Sequence, residues 1–283
     1  MGDEAVRPGL GGGARRAAVL GRPIAHSLSP VLHRAGYAQL GLDWRYDAIE
    51  VGEAELAGFL DRCGRDWVGL SLTMPLKRAV LPLLDTASDL VRAVGAANTV
   101  VLGAGGSRAG HNTDVTGIVE ALLGVGAQPG AAVILGGGAT AASALAALAS
   151  MGCPRVRVLA RRPQAAEESL SVVAAAVRIP LEVGPWPDRL PDRDGAPIVV
   201  CTVPAAASAG LVAGVPERPG ALLDVSYAPW PPPLARAWRA AGGVAASGEE
   251  MLLHQAVAQV ELMTGRRPEA AGMRAALHAA LAG

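Results

Sequence analysis

The sequence predicts a two-domain α/β protein, and three observations carry that prediction. Short apolar runs alternate with helical patterns along most of the chain, the order expected where strands pair in parallel through crossover helices. The alternation falls into two series, and the second starts after Gly130 with its own strand, glycine-rich turn and helix. The 283 residues, 51% hydrophobic and 18% charged, are enough for one large or two ordinary globular cores.

Residues 1–15 are Gly-rich and lack an apolar h-region, so they read as a disordered tail and not as a signal peptide. Arg16–Leu20 reads as a strand. Pro30–Leu40 reads as a helix with Ser29 as N-cap and Pro30 at N1. Trp44–Ile49 alternates as a strand, Glu53–Cys63 is helical, Trp67–Leu72 is a strand, and a helix follows Pro75. Thr99–Leu102 and Ser107–Gly110 flank the Ala104-Gly105-Gly106 turn and predict a hairpin. The Gly-rich stretch 124–130 reads as a boundary. Beyond it come a strand at Ala131–Leu135, a helix at Thr140–Ser150, a strand at Val156–Leu159 and a helix at Gln164–Val177. Ile198–Cys201 and Ala221–Val225 are further strands, and the chain from Gly248 on forms two helices that can pack back onto the first domain.

Composition excludes several functions. Lys plus Arg equals Asp plus Glu, at 25 each, so the basic surplus of a nucleic-acid or anionic-membrane protein is missing. No apolar run has the length of a membrane span. Three cysteines without a C-x-x-C argue against a disulfide framework or a cysteine zinc site, and no metal is expected. A reducing, cytoplasmic compartment is the matching expectation, and a homodimer is compatible with it.

The chain is also drained of certain residue types. Lys77 is its one Lys, and Asn98 and Asn112 are its only two Asn. A surface cation could have been Arg; a compact, titratable amine could not. All three survivors fall between positions 77 and 112. Four polar segments surround them: His26-Ser27-Leu28-Ser29-Pro30, Ser71-Leu72-Thr73-Met74-Pro75-Leu76-Lys77, Ala97-Asn98-Thr99 and His111-Asn112-Thr113-Asp114. A simple cap explains Ser29 but not Ser27, whereas two hydroxyls at a helix N-terminus suit a carboxylate or phosphate. Lys77 in a first helical turn is electrostatically disfavoured for a surface Lys. The set supplies an anion seat, amide and hydroxyl donors, a Lys and an Asp, which suits a small polyhydroxylated acid and the movement of one proton. His33 and His111 read as structural, and Cys201 as packing.

In the second series, Val133-Ile134-Leu135 runs into Gly136-Gly137-Gly138-Ala139-Thr140-Ala141, a G-x-G-x-x-A turn between strand and helix. Such a turn lets backbone approach a pyrophosphate at a helix N-terminus. The next strand ends at Ala160-Arg161-Arg162, where a protein selecting NAD usually has an acid. Two Arg and no acid predict NADP.

At these motifs the chain resembles the shikimate dehydrogenase family, from Ala17 to about Gly265. The matching segments are Gly21–Pro30, Leu72–Lys77, Gly95–Thr99, Asn112–Asp114, the glycine turn and Met251-Leu-Leu-His-Gln255. The resemblance implies reversible reduction of 3-dehydroshikimate to shikimate by NADPH. It implies a substrate domain at 16–115, a Rossmann-like NADP domain at 116–247, and C-terminal helices, 248–283, packing on the substrate domain. It assigns Ser27 and Ser29 to the substrate carboxylate, and Thr73, Asn98, Asp114 and Gln255 to its hydroxyls and carbonyl, with Tyr227 as a further contact. Lys77 is the implied catalytic residue, partnered by Asp114. Gly136, Gly137, Gly138, Ala139 and Thr140 would cradle the pyrophosphate, and Ala160, Arg161 and Arg162 the adenosine phosphate. Val225, Gly248 and Asp89 fall near the nicotinamide. Ser71 stands where many members have Asn, Cys201-Thr202-Val203-Pro204 replaces a common Asn-Ala-Thr, and Glu249 sits where Leu is usual. A quinate or broad cyclic-polyol dehydrogenase and a non-catalytic dinucleotide-binding sensor are the alternatives; the intact Lys77 and Asp114 speak against the sensor.

Overall fold

The structure is a computed structural model that describes residues 15–190, 198–227 and 229–282. All but the last residue of the expected N-terminal tail, 1–15, lies outside the described residues. The chain forms two compact units. One holds the described residues up to Arg92, then Ala96–Thr113 and everything from Gln255 on; the other holds Ala93–Gly95 and Asp114–His254.

The elements of the first part of the chain are β1 (Arg16–Gly21), α1 (Ser29–Gln39), β2 (Arg45–Glu50), α2 (Glu53–Asp61), β3 (Trp67–Leu72), α3 (Leu76–Ala79), β4 (Thr86–Ala87), α4 (Asp89–Val94), β5 (Thr99–Leu102) and β6 (Arg108–His111). Their strands form one sheet in the order β2-β1-β3-β5-β6-β4. The β2-β1-β3 half is parallel, but β5 runs antiparallel to β3 and to β6, so the sheet is mixed where strand–helix alternation had predicted parallel pairing. The expected hairpin accounts for the β5–β6 pairing, since a turn as short as Gly103–Ser107 can only reverse the chain, while β5 reaches β3 through the longer connection that holds α3, β4 and α4. Leu20, Leu70, Leu72 and Val100 from the sheet pack with Leu56 and Leu60 of α2 and with Leu76, Val80 and Val91.

The second unit continues with α5 (Asp114–Gly124), β7 (Ala132–Leu135), α6 (Ala139–Ser150), β8 (Val156–Ala160), α7 (Pro163–Val177), β9 (Leu181–Pro185), β10 (Ile198–Cys201), α8 (Ala205–Ser208), β11 (Ala221–Asp224), α9 (Pro233–Ala240) and β12 (Val244–Ser247). All six strands are parallel, in the order β9-β8-β7-β10-β11-β12. Numbered within the unit this is 3-2-1-4-5-6, the doubly wound dinucleotide-binding order. The Gly-rich stretch 124–130 joins α5 to β7 inside this unit and does not separate the two. Last come α10 (Gly248–Thr264) and α11 (Ala270–Ala282), and α11 packs on α1 within the first unit. Among the described residues, no helix is long and apolar enough to cross a membrane.

Candidate active site

In the first unit, parallel pairing sets Leu20 beside Leu72, so β1 and β3 end at one edge of the sheet. The loop to α1 leaves that edge and carries Ser27. Thr73 follows β3 there, its N–H bonded to Leu20 C=O at 2.9 Å. Antiparallel β5 starts at the same edge: Leu72 N–H donates to Asn98 C=O at 2.7 Å, and Asn98 N–H to His111 C=O at 3.1 Å. The chain then passes through Asn112 and Thr113 to Asp114, the first residue of α5 and the point where the second unit resumes. Ala97 N–H donates to Lys77 C=O at 2.8 Å, which holds the lone Lys one residue from Asn98.

The buried amides form a tight set. Asn98 Oδ1 accepts Thr113 N–H at 2.8 Å and the Thr99 hydroxyl at 2.9 Å. Its Nδ2 donates to Thr113 Oγ1 at 2.9 Å and, at 3.4 Å, to Gln255 Oε1. The structure thus brings Asn98 and Gln255 together although they are 157 residues apart in sequence. Asn112 Nδ2 donates to Ala96 C=O at 2.9 Å.

Two local expectations change. Ser29 is not an N-cap but the first helical residue of α1, because Leu28 before it already has a right-handed helical backbone (φ −87°, ψ −1°). Ser27 Oγ accepts Ser29 N–H at 3.4 Å. The helix bearing Lys77 has only four residues, too short for a first turn distinct from its last, so the dipole argument against a structural Lys loses its force. His33 behaves structurally: fully buried, it donates Nδ1–H to Ser29 C=O at 3.0 Å and stacks on Tyr46. Burial outweighs that hydrogen bond and brings its pKa down to about 4, so it is neutral at pH 7. Burial lowers His111 as well.

In the second unit the expected cofactor residues line the carboxyl edge of the parallel sheet, where ligands of doubly wound sheets sit. Gly136 follows β7 with φ +117°, and a side chain there would strike Thr202. A Cβ on Gly137 would lie 2.7 Å from that of Ala166 on α7. Beyond Gly138 the space is open, and Ala139 and Thr140 start α6. That combination, a left-handed turn and an unobstructed helix start, fits a pyrophosphate approached by backbone. Ala160 ends β8, and Arg161 and Arg162 follow it exposed, ahead of α7. Val225 and Tyr227 follow β11, and Gly248 follows β12. Gly248 N–H donates to Ser226 C=O at 3.2 Å, and a Cβ on Gly248 would overlap the Val225 carbonyl. Burial raises the Tyr227 hydroxyl pKa. Cys201 is buried on β10, its thiol pushed up to about 12 by burial and then by the Asp224 carboxylate, so it is no nucleophile. Asp89, also expected near the nicotinamide, lies instead in the first unit, where it begins α4 with an almost fully exposed carboxylate paired to Arg92.

Sequence reasoning missed Gln259 and Tyr46, which lie behind Asn98. The available signal for Gln259 was its spacing, four residues from Gln255 on one helix face. Among the described residues, no group of three or more His, Cys, Asp or Glu could hold a metal ion.

A 3-2-1-4-5-6 parallel sheet with a glycine turn, preceded by a unit that gathers one Lys with buried amides, defines a dinucleotide-dependent oxidoreductase of two domains. Residues 19–100 match the shikimate dehydrogenase substrate binding domain, and 248–278 the shikimate 5'-dehydrogenase C-terminal domain. The chain is 35% identical to the NADP(+) shikimate dehydrogenase of Rubrobacter xylanophilus over 95% of its own length and 98% of that protein. It superposes on the Mycobacterium tuberculosis shikimate dehydrogenase crystal structure with a TM-score of 0.85 and 40% identity, covering 94% of this chain and 99% of that one. The Thermus thermophilus enzyme in complex with NADP(H) and shikimate gives a TM-score of 0.77 at 31% identity, over 94% of this chain and all of that one. This chain belongs to the shikimate dehydrogenase family.

Proposed function

We propose that this protein is an NADP-dependent shikimate dehydrogenase, reducing 3-dehydroshikimate to shikimate and running the reaction in reverse. The observation that carries the reading is the anchoring of the lone Lys, through the Ala97–Lys77 backbone bond, beside the buried Asn98–Gln255 amides. NADPH supplies the hydride to the substrate carbonyl carbon, C3.

Lys77 donates the proton that the developing C3 alkoxide needs, and removes it in the reverse direction. Its ammonium also polarises the carbonyl, a stabilisation realised mainly as charge develops. Asp114 orients Lys77 and the reacting hydroxyl and shares in the proton transfer, so the role belongs to the two together. Ser27 and Ser29 hold the substrate carboxylate; Thr73, Asn98 and Gln255 hold its hydroxyls, and Tyr227 is a further contact. Gly136 to Thr140 hold the pyrophosphate, Ala160 to Arg162 the adenosine phosphate, and Val225 with Gly248 the nicotinamide side. Asp89 is assigned only to that general neighbourhood. All three cysteines are free, which suits the reducing cytoplasm assigned by this reading.

The test is the absorbance of NADPH formed from shikimate and NADP+ by the purified protein. Turnover with shikimate well above that with quinate is the expected result. No turnover with shikimate overturns the reading, and a higher kcat/KM for quinate shifts it to the polyol alternative.

A further inference from the structure

We propose that Gln259 is a positioning residue for substrate recognition, fixing the Asn98 amide with its NH2 toward Gln255. This rests on the reading in which Asn98 and Gln255 hold the substrate hydroxyls. Gln259 is 1% exposed and lies one helical turn beyond Gln255 on α10. It belongs to a chain of buried hydrogen bonds whose direction is forced by chemistry.

The Gln259 NH2 can only donate, and it gives to Asn98 C=O at 3.2 Å and Thr99 Oγ1 at 3.0 Å. A flipped amide would set its oxygen against the Asn98 carbonyl, two acceptors face to face in a buried site. Gln259 Oε1 can only accept, and it takes the Ser71 hydroxyl at 2.8 Å. Ser71 has spent its one hydrogen there, so it accepts from Tyr46 Oη at 2.6 Å. At the other end, Thr99 has received from Gln259, so its own hydrogen goes to Asn98 Oδ1 at 2.9 Å. Asn98 Oδ1 also accepts Thr113 N–H, which leaves Nδ2 for Thr113 Oγ1 and Gln255 Oε1.

The order Tyr46, Ser71, Gln259, Thr99, Asn98, Gln255 thus runs one way, and every member is buried. In this chain Ser71 and Gln259 brace the recognition amides in the same sense that Thr113 N–H imposes on Asn98. Loss of the Gln259 donors frees the Thr99 hydroxyl to turn away and releases the Asn98 carbonyl, so the Asn98 amide keeps its sense through Thr113 N–H but loses the bracing that holds it in place.

The experiment measures KM for shikimate, KM for NADP+ and the melting temperature in Gln259→Leu, Ser71→Ala, Asn98→Ala and the Gln259→Leu/Asn98→Ala double variant. Gln259→Leu is expected to raise KM for shikimate about tenfold, and Ser71→Ala about threefold, with KM for NADP+ unchanged. On the Asn98→Ala background Gln259→Leu adds less than about twofold, because its effect passes through Asn98. If Gln259→Leu fails to fold, Ser71→Ala decides. A lowered melting temperature with KM for shikimate unchanged, while Asn98→Ala raises it, makes Gln259 merely structural and overturns the proposal alone. If Asn98→Ala itself leaves KM for shikimate unmoved, the underlying reading fails, and the proposal with it.

Discussion

Acid is expected to weaken the first unit through one residue, His33. Its ring is wholly buried, stacked on Tyr46 with centroids 3.9 Å apart, and its Nε2 has no hydrogen-bond partner among the described residues. Burial lowers its pKa from 6.5 to about 4. The unfolded chain therefore takes up a proton near pH 6.5 that the folded chain refuses until about pH 4. Stability is intact above that window and is lost as pH falls through it. A shift of about 2.5 units, at about 1.36 kcal/mol each, amounts to roughly 3 kcal/mol in full and about 2 kcal/mol by pH 5. His33→Phe keeps a ring against Tyr46 and loses the bond to Ser29, so it is expected to be about 1 kcal/mol less stable at pH 8. Without the titrating group, the deficit should shrink below pH 7 and reverse below about pH 6. Urea titrations of both proteins from pH 8 to pH 4.5 test this, and comparing the two cancels the titration of carboxylates such as Glu55, which is lowered by its bond to Gly52 N–H and by Arg22. Parallel pH profiles for the two proteins would refute the reasoning.

Four further outcomes are expected. Lys77→Ala should lower kcat by about 10²–10⁴-fold while shikimate still binds, and Lys77→Arg should fail too, because guanidinium keeps its proton near neutral pH; an unchanged kcat removes Lys77 from the chemistry. Arg161→Ala should raise KM for NADP+ about ten- to hundredfold and leave that for NAD+ nearly unchanged, from the roughly 1.5–3 kcal/mol of a charge-assisted bond; equal weakening of both makes Arg161 structural. Gly248→Ala should lower stability by about 1–3 kcal/mol and weaken NADP+ binding, since the new methyl overlaps the Val225 carbonyl, and an unaltered thermal melt with and without NADP+ contradicts this. Ser27→Ala should raise KM for shikimate several-fold with little change in melting temperature, the Ser29 N–H bond it loses being long at 3.4 Å; equal weakening of an analogue lacking the carboxylate makes Ser27 a loop-shaping residue instead.

The elements legible in the sequence are those with a dense apolar signal. Trp67–Leu72, Ile198–Cys201 and the two C-terminal helices stand where expected. Leu181–Pro185 went unread because it is the edge strand of its sheet, mostly unburied, and its pattern carries little core. Val244–Ser247, the opposite edge, is Ala-rich and announces neither period. The turn length fixes β6 against β5, and no pattern within β5 reveals its direction against β3. The site divides in the same way. Asn98, Lys77 and the serines are polar residues in an apolar chain and draw attention. Gln259 sits on a long helix where a Gln ordinarily faces water, and only packing against β3 and β5 turns it into a buried donor. Tyr46 reads as one apolar position in an alternating strand; the partner that gives its hydroxyl a purpose is 25 residues away.

The depleted composition has a physical explanation in the first unit. In a chain with one Lys and two Asn, each of the three marks a position that Arg or another polar residue does not readily fill. Asn112 is buried and gives its NH2 to Ala96 C=O at 2.9 Å; an Asp there would set a carboxylate against a carbonyl. Asn98 must accept at one end of its amide and donate at the other, which a Ser or an Asp cannot do across that span. Ala97 N–H holds the backbone of Lys77 between these two requirements, since Ala96, Ala97 and Asn98 are consecutive. The three survivors are thus linked through one stretch of three residues at the edge of the sheet. A replacement at Lys77 leaves that backbone link intact, because the link uses its carbonyl, so the link itself gives no reason to keep Lys at 77. The reason for Lys is therefore to be sought in its amine, which is why the Lys77→Arg variant, with charge kept and the labile proton lost, is the most direct test of what the chain retained it for.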